Sequence, residues 1–241
     1  MEKSVIIIPA RMGSTRLPGK PLADIGGKPM IVRVMEQAKK SSLGKVVIAC
    51  AEQEIADAVS KEGGEAVLTA PDLPSGSDRI WQALQKIGGD YEIIINLQGD
   101  MPLFAPELLQ AVTRPFTKKA TDIATLVTQV RSAEDKANAN KVKAVLGNVQ
   151  NEIGQALYFS RAPVPHGDEA FYYHIGVYAY RRAALQKFVA LPPSPLEKRE
   201  KLEQLRALEA GMRIDATIVG AEPLGVDTPE DLEKVRKIYA A

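Results

Sequence analysis

The chain has 241 residues, 45% hydrophobic and 25% charged, with Lys+Arg of 31 against Asp+Glu of 30. A net charge of +1 excludes a nucleic-acid binder that works through a bulk positive field, so any anion site must be local. One cysteine and two histidines exclude an internal disulfide and a thiolate–imidazole zinc cluster.

In chain order, "SVIII" reads as a buried strand and "PMIVRVMEQAKK" as a helix. "KVVIAC" and "EAVLT" read as strands around a helix over "EQEIADAVSKEG", with Ile55, Ala58 and Val59 on one face. Cys50 then sits in a strand and reads as a small buried hydrophobe, not a nucleophile. "DRIWQALQKIGG" is helical, with Ser77 placed to cap its start and glycines to close it. "YEIIINLQGD" reads as a fully buried strand ending at Asp100. This alternation predicts an α/β fold with a doubly wound, mostly parallel sheet.

The second half is less regular. "DIATLVTQV", "VKAVL", "ALYFSR" and "YYHIGVYAYRR" follow with few helices between them, which predicts antiparallel additions or a small inserted flap. "SPLEKREKLEQLRALEAG" reads as one helix, opened by a capping box of Ser194, Pro195 and Glu197 and striped by Leu202, Leu205 and Leu208 up to Gly211. "TPEDLEKVRKIYAA" begins the same way from Thr228. No repeat and no Gly/Ser-rich linker divides the sequence, so a single domain over residues 1–241 is expected. No apolar run approaches the ~20 residues of a membrane span. The start, "MEKSVIIIPAR", turns polar too soon for a signal peptide. A cytoplasmic protein without membrane or nucleic-acid partners is expected.

The loop after the first strand, "PARMGSTRLPGKPLADIGGKPM", joins glycines to Arg11, Arg16 and Lys20. A strand, a glycine-bearing loop and a helix form a phosphate site when backbone N–H groups and cations converge. It is not a Walker loop, because five residues separate Gly13 from Gly19 and Pro21 follows Lys20; nor is it a dinucleotide fingerprint. Pro18 and Pro21 predict an extended path. Arg11, Arg16 and Lys20 can face a triphosphate of about −4 charge through charge-assisted bonds, and Lys20 has no evident protein partner. Asp100 sits where open α/β sheets place ligand-binding groups. Spacing alone leaves a turn before Pro102 as an equal explanation for Asp100, and support for the cap at Thr228 as one for Asp227.

The loop resembles the signature of the sugar-nucleotide cytidylyltransferases, specifically the 3-deoxy-D-manno-octulosonate (Kdo) cytidylyltransferase family. The resemblance runs on through "PSGSDRI", "NLQGDMPL", "ALYFSR", "HIGVYAYR", "SPLEKREKLEQLRALEAG" and "GVDTPEDLE", in order along nearly the whole chain. It departs at Met101, where many members have Glu, at "ACAEQEIA", where many read A-T-D-D, and in a short stretch before "HIGVYAY".

What the resemblance implies is a nucleotide-diphospho-sugar transferase-like fold that moves CMP from CTP to Kdo and releases pyrophosphate. Residues 1–130 would mainly bind CTP, 131–225 would carry sugar-binding and dimerisation elements, and 226–241 would return to the core. Lys20, Asp100 and Asp227 would be catalytic, with Mg²⁺ held by Asp100 and Asp227. Arg11, Ser14, Arg16, Lys20, Ser75, Gly76 and Arg79 would bind CTP. Gln98, Arg161, His174, Tyr178, Glu203 and Gln204 would bind Kdo. Glu197 is explained by its capping box without substrate, and His174 equally well as a core histidine. Trp81 and the tyrosines of "YYHIGVYAY" read as core or subunit-contact residues, with a homodimer implied. A sialic-acid-activating relative, another sugar nucleotidyltransferase and a non-catalytic nucleotide sensor on the same fold are the alternatives.

Overall fold

A computed structural model describes residues 3–14, 16–167, 169–220 and 223–240. The chain folds as two compact units, Met1–Leu109 with Pro223–Ala241, and Gln110–Glu222. In the first unit it runs through β1 (Ser4–Ala10), a small hairpin of β2 (Asp24–Ile25) and β3 (Lys28–Pro29), α1 (Met30–Lys40), β4 (Lys45–Cys50), α2 (Gln53–Lys61), β5 (Ala66–Leu68), α3 (Gly76–Ile87) and β6 (Ile93–Asn96). The strands order as β5–β4–β1–β6 with every pairing parallel. Ile6, Ile7 and Ile8 are fully buried because β1 has a neighbour on each side, and each contributes about 1.5–3 kcal/mol by burial. α1 buries Ile31, Val34, Met35 and Ala38, the spacing of one helical face.

Several boundaries differ from expectation. α3 starts two residues earlier than predicted, because Ser75, not Ser77, accepts the Asp78 N–H as N-cap. Ser77 is buried inside the helix. In α2 the buried residues are Ile55, Ala56 and Val59, while Ala58 is only half-buried. β6 ends at Asn96, so Asp100 stands in a turn beyond the strand.

The chain leaves the first unit along α4 (Pro106–Thr113). The second unit contains β7 (Ile123–Val130), α5 (Ala133–Ala137), β8 (Lys143–Gln150), β9 (Ile153–Ser160), β10 (Phe171–Arg181), α6 (Arg182–Ala190), α7 (Pro195–Glu200), α8 (Leu205–Glu209) and β11 (Ile214–Val219). Its strands order as β10–β7–β11–β9–β8, and β8 pairs back onto β10, so the five form a ring. Only β7 and β11 are parallel; the other pairings are antiparallel, as the irregular second half predicted. The sequence reading missed the β2–β3 hairpin, α4, α5, α6 and β11. It also took α7 and α8 for one helix. The break falls at Lys201, which takes a left-handed φ of 55° while the preceding Glu200 is drawn to Arg161. α9 (Pro229–Ala240) belongs to the first unit.

Candidate active site

At the carboxyl ends of β1 and β6 a cleft of about 420 Å³ opens, lined among others by Pro9, Arg11, Gly13, Ser14, Arg16, Lys20, Ser75, Gly76, Arg79, Gln98, Gly99, Asp100 and Asp227. The loop is not extended at Lys20. Gly19 takes φ 69° and opens a 3₁₀ turn over Lys20–Leu22, with Pro21 in the first turn, where no N–H is required. Gly99 is needed for close approach: a Cβ there would stand 2.9 Å from the Pro9 carbonyl oxygen.

Lys20 has partners, contrary to the sequence reading. Its Nζ donates to Asp100 Oδ2 at 2.7 Å, the Val226 carbonyl at 3.0 Å and Asp227 Oδ1 at 3.3 Å. Arg16, largely exposed, reaches Asp227 Oδ1 at 3.0 Å. The far end of the chain is brought here by packing. Val226, Leu232 and Val235 join Ile25 and Met30 in a buried cluster, and the Val226 N–H donates to the Asp100 carbonyl at 2.9 Å. α9 is capped by Thr228, whose Oγ1 accepts the Asp231 N–H, while the Asp231 carboxylate accepts from the N–H groups of Asp227 and Thr228. Burial raises the Asp231 pKa, but the Thr228 and Asp227 hydrogen bonds outweigh it and hold the carboxyl below its usual value. The capping duty thus falls to Thr228 and Asp231, and the Asp227 side chain faces the cations.

Arg11 is exposed on the cleft and makes no side-chain bond among the described residues. Ser14 Oγ accepts the Leu17 N–H and shapes the loop. Ser75 and Gly76 present the start of α3 to the cleft, a position that favours anions. Arg79 also lines the cleft, yet it is 2% exposed and its guanidinium donates to Thr69 Oγ1, the Ala70 carbonyl and the Pro71 carbonyl. It braces the 69–71 loop beside the cleft. Gln98 borders the cleft, its Nε2 3.4 Å from Asn96 Oδ1. Cys50 is buried, and burial, then the Glu52 charge, push its thiol pKa up to about 11, consistent with an inert residue.

The remaining predicted residues lie in the second unit. Arg161 donates from Nε to the Glu200 carbonyl and from Nη1 to the Ala139 carbonyl. His174 is buried between Phe159 and Tyr178, with its Nε2 3.0 Å from Thr125 Oγ1, and burial lowers its pKa to about 3. Tyr178 has its pKa raised by burial and then by Tyr180 and Glu203. Gln204 is buried with no partner for Nε2 among the described residues. Glu203 approaches Arg206 at 3.9 Å. Glu197 is bound twice by Arg206, at 2.8 and 2.6 Å, and completes the capping box, which accounts for it without substrate.

The fit of a metal rests on donor chemistry. Two carboxylate oxygens and one carbonyl converge on a single cation, the Lys20 ammonium. All are hard oxygen donors of the kind Mg²⁺ uses together with phosphates and water. No group of three or more His, Cys, Asp or Glu placed to hold a metal ion occurs among the described residues.

The family described as "Cytidylyltransferase" matches residues 5–214. This chain belongs to that family. The 3-deoxy-manno-octulosonate cytidylyltransferase of Parvibaculum lavamentivorans is 56% identical over 238 residues, 98% of this chain and 92% of the relative. The protein of the same name from Bradyrhizobium sp. is 57% identical over 240 residues, 99% of this chain and 98% of the relative. A CMP:2-keto-3-deoxy-manno-octonic acid synthetase solved in complex with CTP superposes with a TM-score of 0.92 at 42% identity, covering 99% of both chains. An apo UDP-glucose pyrophosphorylase, at TM-score 0.72 and 15% identity, shares the fold alone. The α/β fold with a mixed sheet is therefore that of the nucleotide-diphospho-sugar transferases, and the chain is a nucleotidyltransferase. Sequence reasoning missed Gly99 and Val226; Gly99 was legible as the small residue of "QGD".

Proposed function

We propose that this cytidylyltransferase transfers CMP from CTP to the anomeric hydroxyl of Kdo and releases pyrophosphate. The observation that carries the reading is the convergence of Lys20, Asp100 and Asp227 in the cleft of a chain so similar to Kdo cytidylyltransferases over its full length. Catalysis here is chiefly positioning and charge neutralisation, since phosphoryl chemistry needs no covalent protein intermediate. Arg11, Arg16 and Lys20 face the triphosphate, with the loop around Ser14 and the first turn of α3 at Ser75 and Gly76 supplying N–H donors. Arg79 acts on CTP indirectly, by bracing its loop. Lys20 exchanges its carboxylate partners for phosphate oxygens when the nucleotide arrives.

Asp100 and Asp227 would hold Mg²⁺, which when bound polarises the α-phosphate as a Lewis acid. Gln98, Arg161, Tyr178, Glu203 and Gln204 are assigned to the sugar acid, Arg161 to its carboxylate. The open Nε2 of Gln204 supports its inclusion. His174, whose Nε2 is engaged by Thr125, serves the sugar by backing Tyr178. We place the reaction in the cytoplasm, in a homodimer, as the supply of activated sugar acid for lipopolysaccharide synthesis. No helix among the described residues is long and apolar enough to cross a membrane.

Pyrophosphate release, measured for CTP, UTP and GTP against Kdo and N-acetylneuraminate with and without Mg²⁺, tests the reading. Activity is expected only with CTP, Kdo and the divalent cation together. Equal rates with N-acetylneuraminate would move the chain to the sialic-acid branch. Tight CTP binding without turnover on any sugar acid would make it a nucleotide sensor.

A further inference from the structure

Lys143 opens β8 and is completely buried. It stands where the ring of the second unit closes, paired with Ser160 of β9 and Tyr173 of β10. Its Nζ donates to the carbonyls of Asn138 at 2.9 Å, Lys141 at 2.6 Å and Arg161 at 2.7 Å. Three acceptors around one nitrogen require all three protons of an ammonium, since a neutral amine has only two to give. A buried ammonium is expensive to keep, and packing alone does not call for one.

These three bonds have a common consequence at Arg161. One holds the main chain of Arg161 itself. The other two pin both ends of the 138–141 segment, whose Ala139 carbonyl accepts Arg161 Nη1 at 3.0 Å. Arg161 Nε is fixed in turn by the Glu200 carbonyl at 2.9 Å, and the Glu200 carboxylate accepts the Arg161 N–H and the Ser160 hydroxyl. The guanidinium is therefore held from two sides by main-chain oxygens, and Nη2 has no partner among the described residues. Burial and then the charge of Arg161 lower the Lys143 pKa, with Glu200 opposing, so the two cations share one local field. Such a field favours an anion at the open nitrogen.

We infer that Lys143 is a positioning residue for the sugar acid: its ammonium fixes the backbone cradle that aims Arg161 Nη2 at the substrate carboxylate. The inference rests on the proposed assignment of that carboxylate to Arg161. A residue with this duty affects capture of the acid and not the nucleotide site or the chemical step.

Steady-state kinetics of Lys143→Met, Arg161→Ala and the double variant decide it, each with a melting curve. Lys143→Met is expected to raise KM for Kdo about tenfold, the scale of one misplaced charge-assisted bond, while KM for CTP and kcat at saturating Kdo stay within about twofold. Arg161→Ala raises KM for Kdo as well, and adding Lys143→Met to it has little further effect, because the group to be aimed is gone. An unchanged KM for Kdo in Lys143→Met, with a raised one in Arg161→Ala, would overturn the positioning role alone. So would independent, multiplying effects, or a loss shared equally by both substrates. If Arg161→Ala leaves KM for Kdo unchanged, the carboxylate assignment fails and the inference falls with it. Should methionine prevent folding, Lys143→Gln retains a two-proton donor and is read in the same way, with the same split expected at smaller amplitude.

Discussion

Lys20 in the cleft of the first unit and Lys143 in the ring of the second each donate to three oxygens, but the oxygens differ in kind. Lys20 is held by two carboxylates and one carbonyl, and its side chain is 16% exposed. Lys143 is held by three carbonyls and is fully buried. A carboxylate can bind a metal ion in place of an ammonium, and an ammonium can donate to phosphate in place of a carboxylate, so the first arrangement is exchangeable. The carbonyls around Lys143 are uncharged main-chain groups packed about a fully buried side chain, so no carboxylate there attracts a metal ion and no phosphate reaches the ammonium. The first cation is thus suited to a site that reorganises around its ligand, and the second to a cradle that stays fixed.

The largest effect that would break this comparison lies at the carboxylates. Asp100→Asn or Asp227→Asn keeps size but removes one ligand charge, and turnover is expected to fall by several powers of ten, since each ~1.4 kcal/mol of lost transition-state stabilisation is tenfold. Melting temperature should change little, because Lys20 is partly solvated and retains its other partners. A proportionate loss of stability would show the cluster to be structural.

A smaller effect sharpens the view of the second unit as a fixed interior. His174 has its pKa lowered to about 3 by burial, so the folded protein keeps it neutral while the unfolded chain protonates it below about pH 6.5. Its contribution to stability is therefore complete above pH 6.5 and is lost as pH falls toward 3. The slope is about 1.4 kcal/mol per pH unit, or about 2 kcal/mol by pH 5. Denaturant unfolding of wild type and His174→Gln across this window should converge on the acid side; parallel curves would contradict the buried, neutral ring.

Lys20→Met should weaken CTP binding about tenfold or more while leaving Kdo binding nearly unchanged, although it also frees two carboxylates that then repel the triphosphate. Calorimetric titration with CTP reads this directly, and unchanged affinity would mean that the exchange does not occur. The smallest effect is at the start of α3. Ser75→Ala removes the bond to the Asp78 N–H and should cost about 1 kcal/mol in thermal unfolding. No loss would place the cap elsewhere.

Much of the first unit was legible because its elements repeat a local pattern: apolar runs for β1, β4 and β6, and helical spacing in α1 and α3. Asp100 and Asp227 were legible only in their motifs, since 126 intervening residues hide their meeting at Lys20; their closeness depends on Val226 packing against Ile25 and Met30. The partners of Lys20, Arg79 and Lys143 were not legible. Charged residues default to solvent, and the oxygens that hold these three are mostly main-chain groups or side chains brought in by the fold. β11 was missed because Asp215 interrupts its apolar run; the structure buries that carboxylate against Arg213 and Thr121. The break between α7 and α8 was hidden by a leucine stripe that continues through it, with Leu202 buried outside either helix.

The central claim is that Asp100 and Asp227 act as one unit on one cation, so the most direct measurement is pyrophosphate release by wild type, Asp100→Asn, Asp227→Asn and the double variant, at matched melting temperatures. Residues that serve a single function are non-additive, and the double variant is expected to be little slower than the slower single one. Losses that multiply, or an Asp227→Asn enzyme that remains nearly as active as wild type, would contradict the shared site.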